Sequence, residues 1–158
     1  MLPSVRKANL MLSLFGMFKV PLIWYCRPQI LEMDEQKVIV KIPLKRRTKN
    51  HLNSMYFGTL AVGADVAGGF LAIAKAEQHG KKVSLAFKAV EGQFLKRPEA
   101  DVIFSCTDGK LIDQMLEQTM QSGERVNQAV TINATCPSIS GDEVVAKFSL
   151  TLSLKAIQ

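Results

Sequence analysis

Cysteine is scarce in this chain and poorly placed for cross-linking. Of the 158 residues only Cys26, Cys106 and Cys136 are cysteines. The number is odd and no C-x-x-C occurs, which argues against a disulfide framework and against a zinc site. Three free, small, buried or half-buried thiols in a reducing cytoplasm are the expectation. A membrane span is also missing near the start. Leu10 to Cys26 is apolar-rich and follows Arg6-Lys7, but it is too short to cross a bilayer. Lys19 and Pro21 interrupt it, and no small-x-small cleavage site follows, so it does not read as a signal peptide. Repeats and low-complexity segments are absent. The one dense basic run, Lys45-Arg46-Arg47-Thr48-Lys49, contains no aromatic residue, so the interleaved pattern that marks a nucleic-acid surface is missing and no nucleic-acid partner is expected from it.

What is present suits one globular domain. Hydrophobic residues make up 47% and charged residues 22% of the chain, and this length buries a core without staples. The net charge of +6 favours nucleic acid, anionic lipid or a polyphosphate ligand such as coenzyme A without choosing among them.

Along the chain, Ser4 is the expected cap of an amphipathic leader helix over Val5 to Phe18, ended by Pro21. Such a basic amphipathic helix can lie on lipid, which makes a membrane-surface role the least favoured of three readings. Arg27 to Met33 and Lys37 to Leu44 read as a hairpin turning at Asp34-Glu35, because Val38, Val40, Ile42 and Leu44 alternate with the residues between them. One long helix starts at Ser54 or Tyr56, runs to about Gln78 and stops at Gly80. Its ~25 residues make a rod of roughly 37 Å. Val83 to Lys96 is a strand with a bulge expected at Gly92. Arg97-Pro98 turns the chain into a partner strand, Ala100 to Cys106. Asp108 is the expected cap of a short helix over Lys110 to Gln121. Glu124 to Cys136 and Glu143 to Ile157 close the chain as strands joined by a turn over Pro137 to Asp142. The order α-β-β-α-β-β-α-β-β predicts an α+β layer fold in which a curled antiparallel sheet wraps the long helix.

That helix holds the candidate chemistry. It carries Gly58, Gly63, Gly68 and Gly69, each costing ~1 kcal/mol relative to alanine, so something must approach its backbone closely. The choices are sheet, ligand or a second copy of the helix. Asp65 has Ala61, Val62, Gly68 and Gly69 at three and four positions either side, none of which pairs with its charge. An acid so placed acquires a raised pKa and suits the role of base or nucleophile. The helix N-terminus near Tyr56 to Gly58 offers N–H groups for an oxyanion. Asp65 lies about 10 Å further along the axis, too far for one chain to use both ends. An antiparallel second helix across a two-fold axis would bring them together.

The pattern Asn50-(five)-Tyr56-Phe57-Gly58-(six)-Asp65-x-Ala67 resembles the N-(five)-H-G-G-(six)-D-x-A motif of hotdog-fold thioesterases of the phenylacetate-degradation type. The likeness covers roughly residues 28–157. The segments RPQILEMD, RTKNHLNSMYFGTLAVGADVAGG and FLKRP are closer still to a group of bacterial hotdog proteins of unassigned function. The resemblance implies a leader segment over residues 1–27 and a single hotdog domain over 28–158. It implies Asp65 as base or nucleophile, Asn50 as a holder of water or carbonyl, and the N–H of Phe57 or Gly58 as oxyanion donor. Ser84 matches, more weakly, a water-orienting serine or threonine. Tyr56 stands where the family has histidine and Phe57 where it has its first glycine; Tyr56 keeps a hydrogen-bond donor but is larger. His51 is adjacent but out of register. The expected activity is hydrolysis of an acyl-coenzyme A thioester in a homodimer or dimer of dimers. Lys45, Arg46, Arg47 and Lys49 would meet the coenzyme A phosphates, with no cofactor or metal beyond the substrate itself. A non-catalytic acyl-binding or scaffolding protein is the alternative.

Overall fold

The computed structural model describes residues 1–157. Helix α1 spans Val5–Phe18 with the Ser4 hydroxyl accepting from the Lys7 N–H. Pro21 does more than end it. Proline is favoured at a first helical position, and a second short helix, α2, runs Pro21–Cys26. Strands β1 (Gln29–Met33) and β2 (Val38–Ile42) form the expected hairpin. The Asp34 carboxylate shapes its turn by accepting from the N–H groups of Gln36 and Lys37.

Helix α3, Phe57–Gln78, is the axis. Strand β3 (Lys82–Phe94) follows, then β4 (Val102–Cys106), α4 (Gly109–Ser122), β5 (Val126–Thr135), α5 (Pro137–Ser140) and β6 (Val144–Ile157). The single antiparallel sheet has the order β1-β2-β4-β5-β6-β3, and it curls around α3. This order corrects one expectation. β3 and β4 are not a hairpin: β3 pairs with β6, while β4 lies between β2 and β5. Non-local pairing decided this, because Phe148, Leu150, Leu152 and Leu154 of β6 place a fully apolar face on the core and offer β3 a longer partner.

Three smaller corrections have local causes. The bulge in β3 lies between Phe87 and Ala89 rather than at Gly92. Gly92 instead pairs in regular register with Phe148, whose ring lies 3.1 Å from where a Cβ would stand. Asp108 sits at the start of α4 but gives no cap; its carboxylate accepts from the Thr131 N–H at 2.7 Å and ties α4 to β5. The turn after β5 winds into α5 because Pro137 again occupies a first helical position.

The core is one cluster, and it includes Ala8, Leu12, Ile23 and Cys26 from α1 and α2. The leader is therefore built into the same core as the wrapped helix. Asn9 fastens it: its amide donates to the Ile30 carbonyl and accepts from the Ile30 N–H, both at 2.8 Å. This side chain imitates a strand partner and covers the edge of β1. All three cysteines are free and buried.

Three of the four glycines of α3 serve tight packing against the sheet, while Gly58 lies against the Tyr56 ring. A Cβ on Gly63 would run into the Phe104 ring, and Gly68 and Gly69 face Ile132 and Phe87. Lys75 is the buried surprise of this helix. It is 1% exposed, and its ammonium meets Asp113 at 2.8 Å and Glu35 at 2.9 Å. Burial works against its charge, but the two carboxylates more than offset this and raise its pKa, while Lys75 lowers that of Glu35. Replacement by methionine is expected to cost about 2 kcal/mol, since it leaves two carboxylates facing each other that are half exposed and so partly rehydrate. Chemical denaturation at neutral pH measures this; an unchanged midpoint would show that the triad contributes nothing.

Candidate active site

About two thirds of α3 is buried. The residues that are not fully enclosed include Phe57, Ala61 and Asp65, four apart and so on one stripe. Further along the same stripe Gly69 is closed over by Leu85 and Phe87 of β3. β3 thus closes the stripe at Gly69, while Phe57, Ala61 and Asp65 before it stay open, and Ile73 and Glu77 after it face the cavity described next.

Asp65 stands where the open and closed parts meet. It lines a cavity of about 420 Å³ whose other walls include Phe70, Ile73, Leu85 and Phe87. The roof comes from the leader: Met11, Leu12 and Phe15 of α1, with Val20 and Ile23, complete the cavity. Apart from Asp65, Glu77 is the one charged residue lining it. Burial pushes the Asp65 carboxyl from its ordinary 3.8 up to about 6, and no neighbouring charge or donor offsets the shift. A carboxylate of that kind takes a proton well near neutrality.

The helix N-terminus is a separate place. Tyr56 occupies the cap position and provides no side-chain hydrogen bond, so first-turn N–H groups remain available. A second, shallower hollow surrounds it, lined by Asn50, Tyr56, Phe57, Phe94 and Pro98 among others. The Pro98 carbonyl accepts from the Met55 N–H at 2.8 Å and holds the FLKRP turn there. Tyr56, Phe57, Phe94 and Phe148 make a chain of ring contacts, with centroids 4.8, 6.4 and 5.8 Å apart. Asn50 already uses its carbonyl oxygen, which accepts from the Leu52 and Ser54 N–H groups and the Ser54 hydroxyl. It shapes the loop, and its NH₂ is what remains to meet a ligand.

The structure therefore brings Asn50, Tyr56, Phe57 and Gly58 together and leaves Asp65 in the other cavity. Ser84 joins neither. It lies on the opposite face of β3 from Leu85 and Phe87, where its hydroxyl oxygen accepts from Arg125 at 3.3 Å. The alternation Val83-Leu85-Phe87 already carried that information: with those residues facing the helix, Ser84 must face away. Lys45, Arg46, Arg47 and Lys49 are exposed on the loop before α3. Buried Thr48 pins that loop, its hydroxyl donating to the Pro43 carbonyl at 2.7 Å. Arg47 lies over the Tyr25 ring of α2, 5.5 Å from its centroid. The residues missed from sequence are the roof, Met11, Leu12 and Phe15; only tertiary packing places them over Asp65.

An antiparallel sheet curled around one long helix defines the hotdog fold. Solved structures share it across nearly the whole chain. A Pseudomonas aeruginosa protein described as of unknown function and a probable thioesterase is 18% identical, with 99% of each chain covered and a TM-score of 0.80. A protein of unknown function from Chlorobaculum tepidum is 13% identical, with 96% of each chain covered and a TM-score of 0.81. A thioesterase of Haemophilus influenzae is 14% identical over 96% of this chain and 90% of that one, with a TM-score of 0.71. A search of the curated proteins returns no significant match. The chain belongs to the family described as a domain of unknown function, DUF4442, whose model matches residues 8–153.

Proposed function

We propose that this protein hydrolyses acyl thioesters, with Asp65 as general base. The observation that carries the reading is the Asp65 carboxyl, raised to about 6 in a cavity of about 420 Å³ lined mainly by apolar side chains. The apolar walls suit an acyl chain, and Asp65 on the same lining suits a base beside its thioester. Water loses a proton to Asp65 as its oxygen attacks the thioester carbon. The resulting oxyanion is held by N–H groups at a helix N-terminus. The carbon–sulfur bond then breaks, the thiolate takes up the proton, and a carboxylic acid and a free thiol leave.

The oxyanion donors must come from a second copy, because Phe57 and Gly58 are about 10 Å from Asp65 along the same helix. Two features support a two-fold dimer. Strand β3 is a 13-residue edge strand with Val90 and Phe94 exposed, and long bare edges of this kind seek a partner. The open stripe Phe57–Ala61–Asp65 runs beside it. Lys45, Arg46, Arg47 and Lys49 would then hold the phosphates of coenzyme A by charge.

The test is release of free thiol from a panel of acyl-coenzyme A esters, followed by chain mixing. Asp65→Asn removes the base, and Phe57→Pro removes one N–H at a position where proline is tolerated. Each variant alone is expected to be inactive. Reassembled together at equal amounts, they should recover roughly a quarter of wild-type activity, since half the dimers then carry one intact site. Binding of the esters without thiol release would instead establish a non-catalytic acyl binder, the outcome that Tyr56 and Phe57 in place of histidine and glycine would favour. Inactivity of the mixture with an active wild type would dismiss the shared site.

A further inference from the structure

Helix α1 is apolar on both of its sides. Ala8, Leu12 and Gly16 face inward and are buried. Leu10, Leu14, Met17 and Phe18 face outward, with Leu10 60% and Phe18 72% exposed. On α2, Leu22 is 61% exposed and Tyr25 lies beside it, also exposed. The Asn9–Ile30 hydrogen bonds fix the roll of α1, so these side chains do not turn inward to be covered. An outward side carrying this much large apolar surface beside its cations belongs against apolar matter.

The charge carried by the leader itself has one sign, with Glu77 of α3 the acid at the adjoining cavity. Residues 1–31 contain Arg6, Lys7, Lys19 and Arg27 and no acid; the first carboxylate is Glu32. The aromatic residues of α2 carry further cations. Arg27 lies over Trp24 at 4.1 Å and Arg47 over Tyr25 at 5.5 Å from the ring centroids. Large apolar side chains, flanking cations and half-buried tryptophan and tyrosine are the composition of a surface that lies in a bilayer interface. A second copy of the chain fits poorly, because a self-complementary contact would bring two sets of these cations together with only Glu77 near them to pair.

We propose that the α1–α2 face docks on an anionic lipid surface. The docking side also opens into the molecule: Phe15 and Val20 are exposed on it and at the same time line the Asp65 cavity. An acyl chain leaving the lipid thus reaches the cavity without crossing water. Docking itself does not depend on whether Asp65 hydrolyses anything.

The experiment uses the full chain and vesicles of phosphatidylcholine containing about one part in three of phosphatidylglycerol, a lipid that gives the surface its negative potential. The protein is expected to co-sediment with them at low salt, and the emission of Trp24, its one tryptophan, should shift to the blue. Phe18→Ser with Leu22→Ser removes two exposed side chains that contribute nothing to the core, and should weaken binding roughly tenfold or more. Salt or neutral vesicles should weaken it as well. Absence of co-sedimentation with the anionic vesicles at low salt overturns the proposal, and so does wild-type binding by the double variant. A wild type that ignores vesicles but forms a larger assembly than the double variant in sedimentation velocity also overturns it, assigning the face to protein contact.

Discussion

Asp65→Asn is expected to lower thioester hydrolysis by about 10²–10⁴-fold, the range that a lost general base costs, while making the folded protein more stable. The two effects have one origin. Burial in an apolar cavity raises the carboxyl from 3.8 to about 6, so keeping it ionised at neutral pH costs free energy in the folded state. Water still reaches part of the side chain, which limits the cost to on the order of 1–2 kcal/mol. Because the folded pKa lies above the unfolded one, the native state binds more protons in the window between 3.8 and about 6. The stability contributed by Asp65 is therefore greatest below that window and falls as pH rises through it. Asparagine does not titrate and should remove this dependence. Thermal unfolding from pH 4 to 8 checks the stability side. The rate profile checks the other, since wild-type activity should rise with pH through about 6 and then level off. A variant with wild-type turnover would remove Asp65 from the mechanism. One inactive but no more stable at neutral pH would mean that the carboxyl is less buried than the cavity suggests.

Gly63→Ala is expected to destabilise the protein by about 2 kcal/mol or more, although alanine is the better helix former by ~1 kcal/mol. Its Cβ would meet three atoms of the Phe104 ring, and Phe104 is fully buried in β4. The ring has no free volume into which to retreat, so the helix and the sheet must separate. Gly68→Ala is the control. Its Cβ would lie 3.2 Å from the tip of Ile132 and 3.4 Å from those of Leu150 and Val130, flexible side-chain ends that yield a few tenths of an ångström. The helix-propensity gain then roughly cancels the crowding, and a change within about 1 kcal/mol is expected. Urea unfolding of the two variants decides the point. Equal effects would mean that the glycines are not individually fitted to the sheet.

The two glycines look alike in sequence, and both sit in an uninterrupted apolar helix. Close approach was legible there from their cost alone, but which neighbour approaches was not, because Phe104 is forty-one residues from Gly63 in the chain. The same division holds for the site. Asp65 stood out because no residue within one helical turn could pair with it, and the structure gives it no partner that offsets its burial. The leader helix is the opposite case. Its cap and span followed from Ser4 and the run to Phe18, and both are as expected. Its place as the roof of the Asp65 cavity depends on two hydrogen bonds from Asn9 to a strand twenty-one residues away.

Local patterns alone thus determined the hairpin β1–β2, the long helix and its lone acid, the free cysteines and the strand character of β6, since period and propensity act over a few residues. Tertiary structure decided the rest. It moved β3 from β4 to β6, turned Ser84 away from the cavity, buried Lys75 between two carboxylates, and laid the leader over Asp65 as a roof. Each of these depends on which distant surface offers the larger apolar match or the missing charge, and that is settled only when the whole sheet closes around α3.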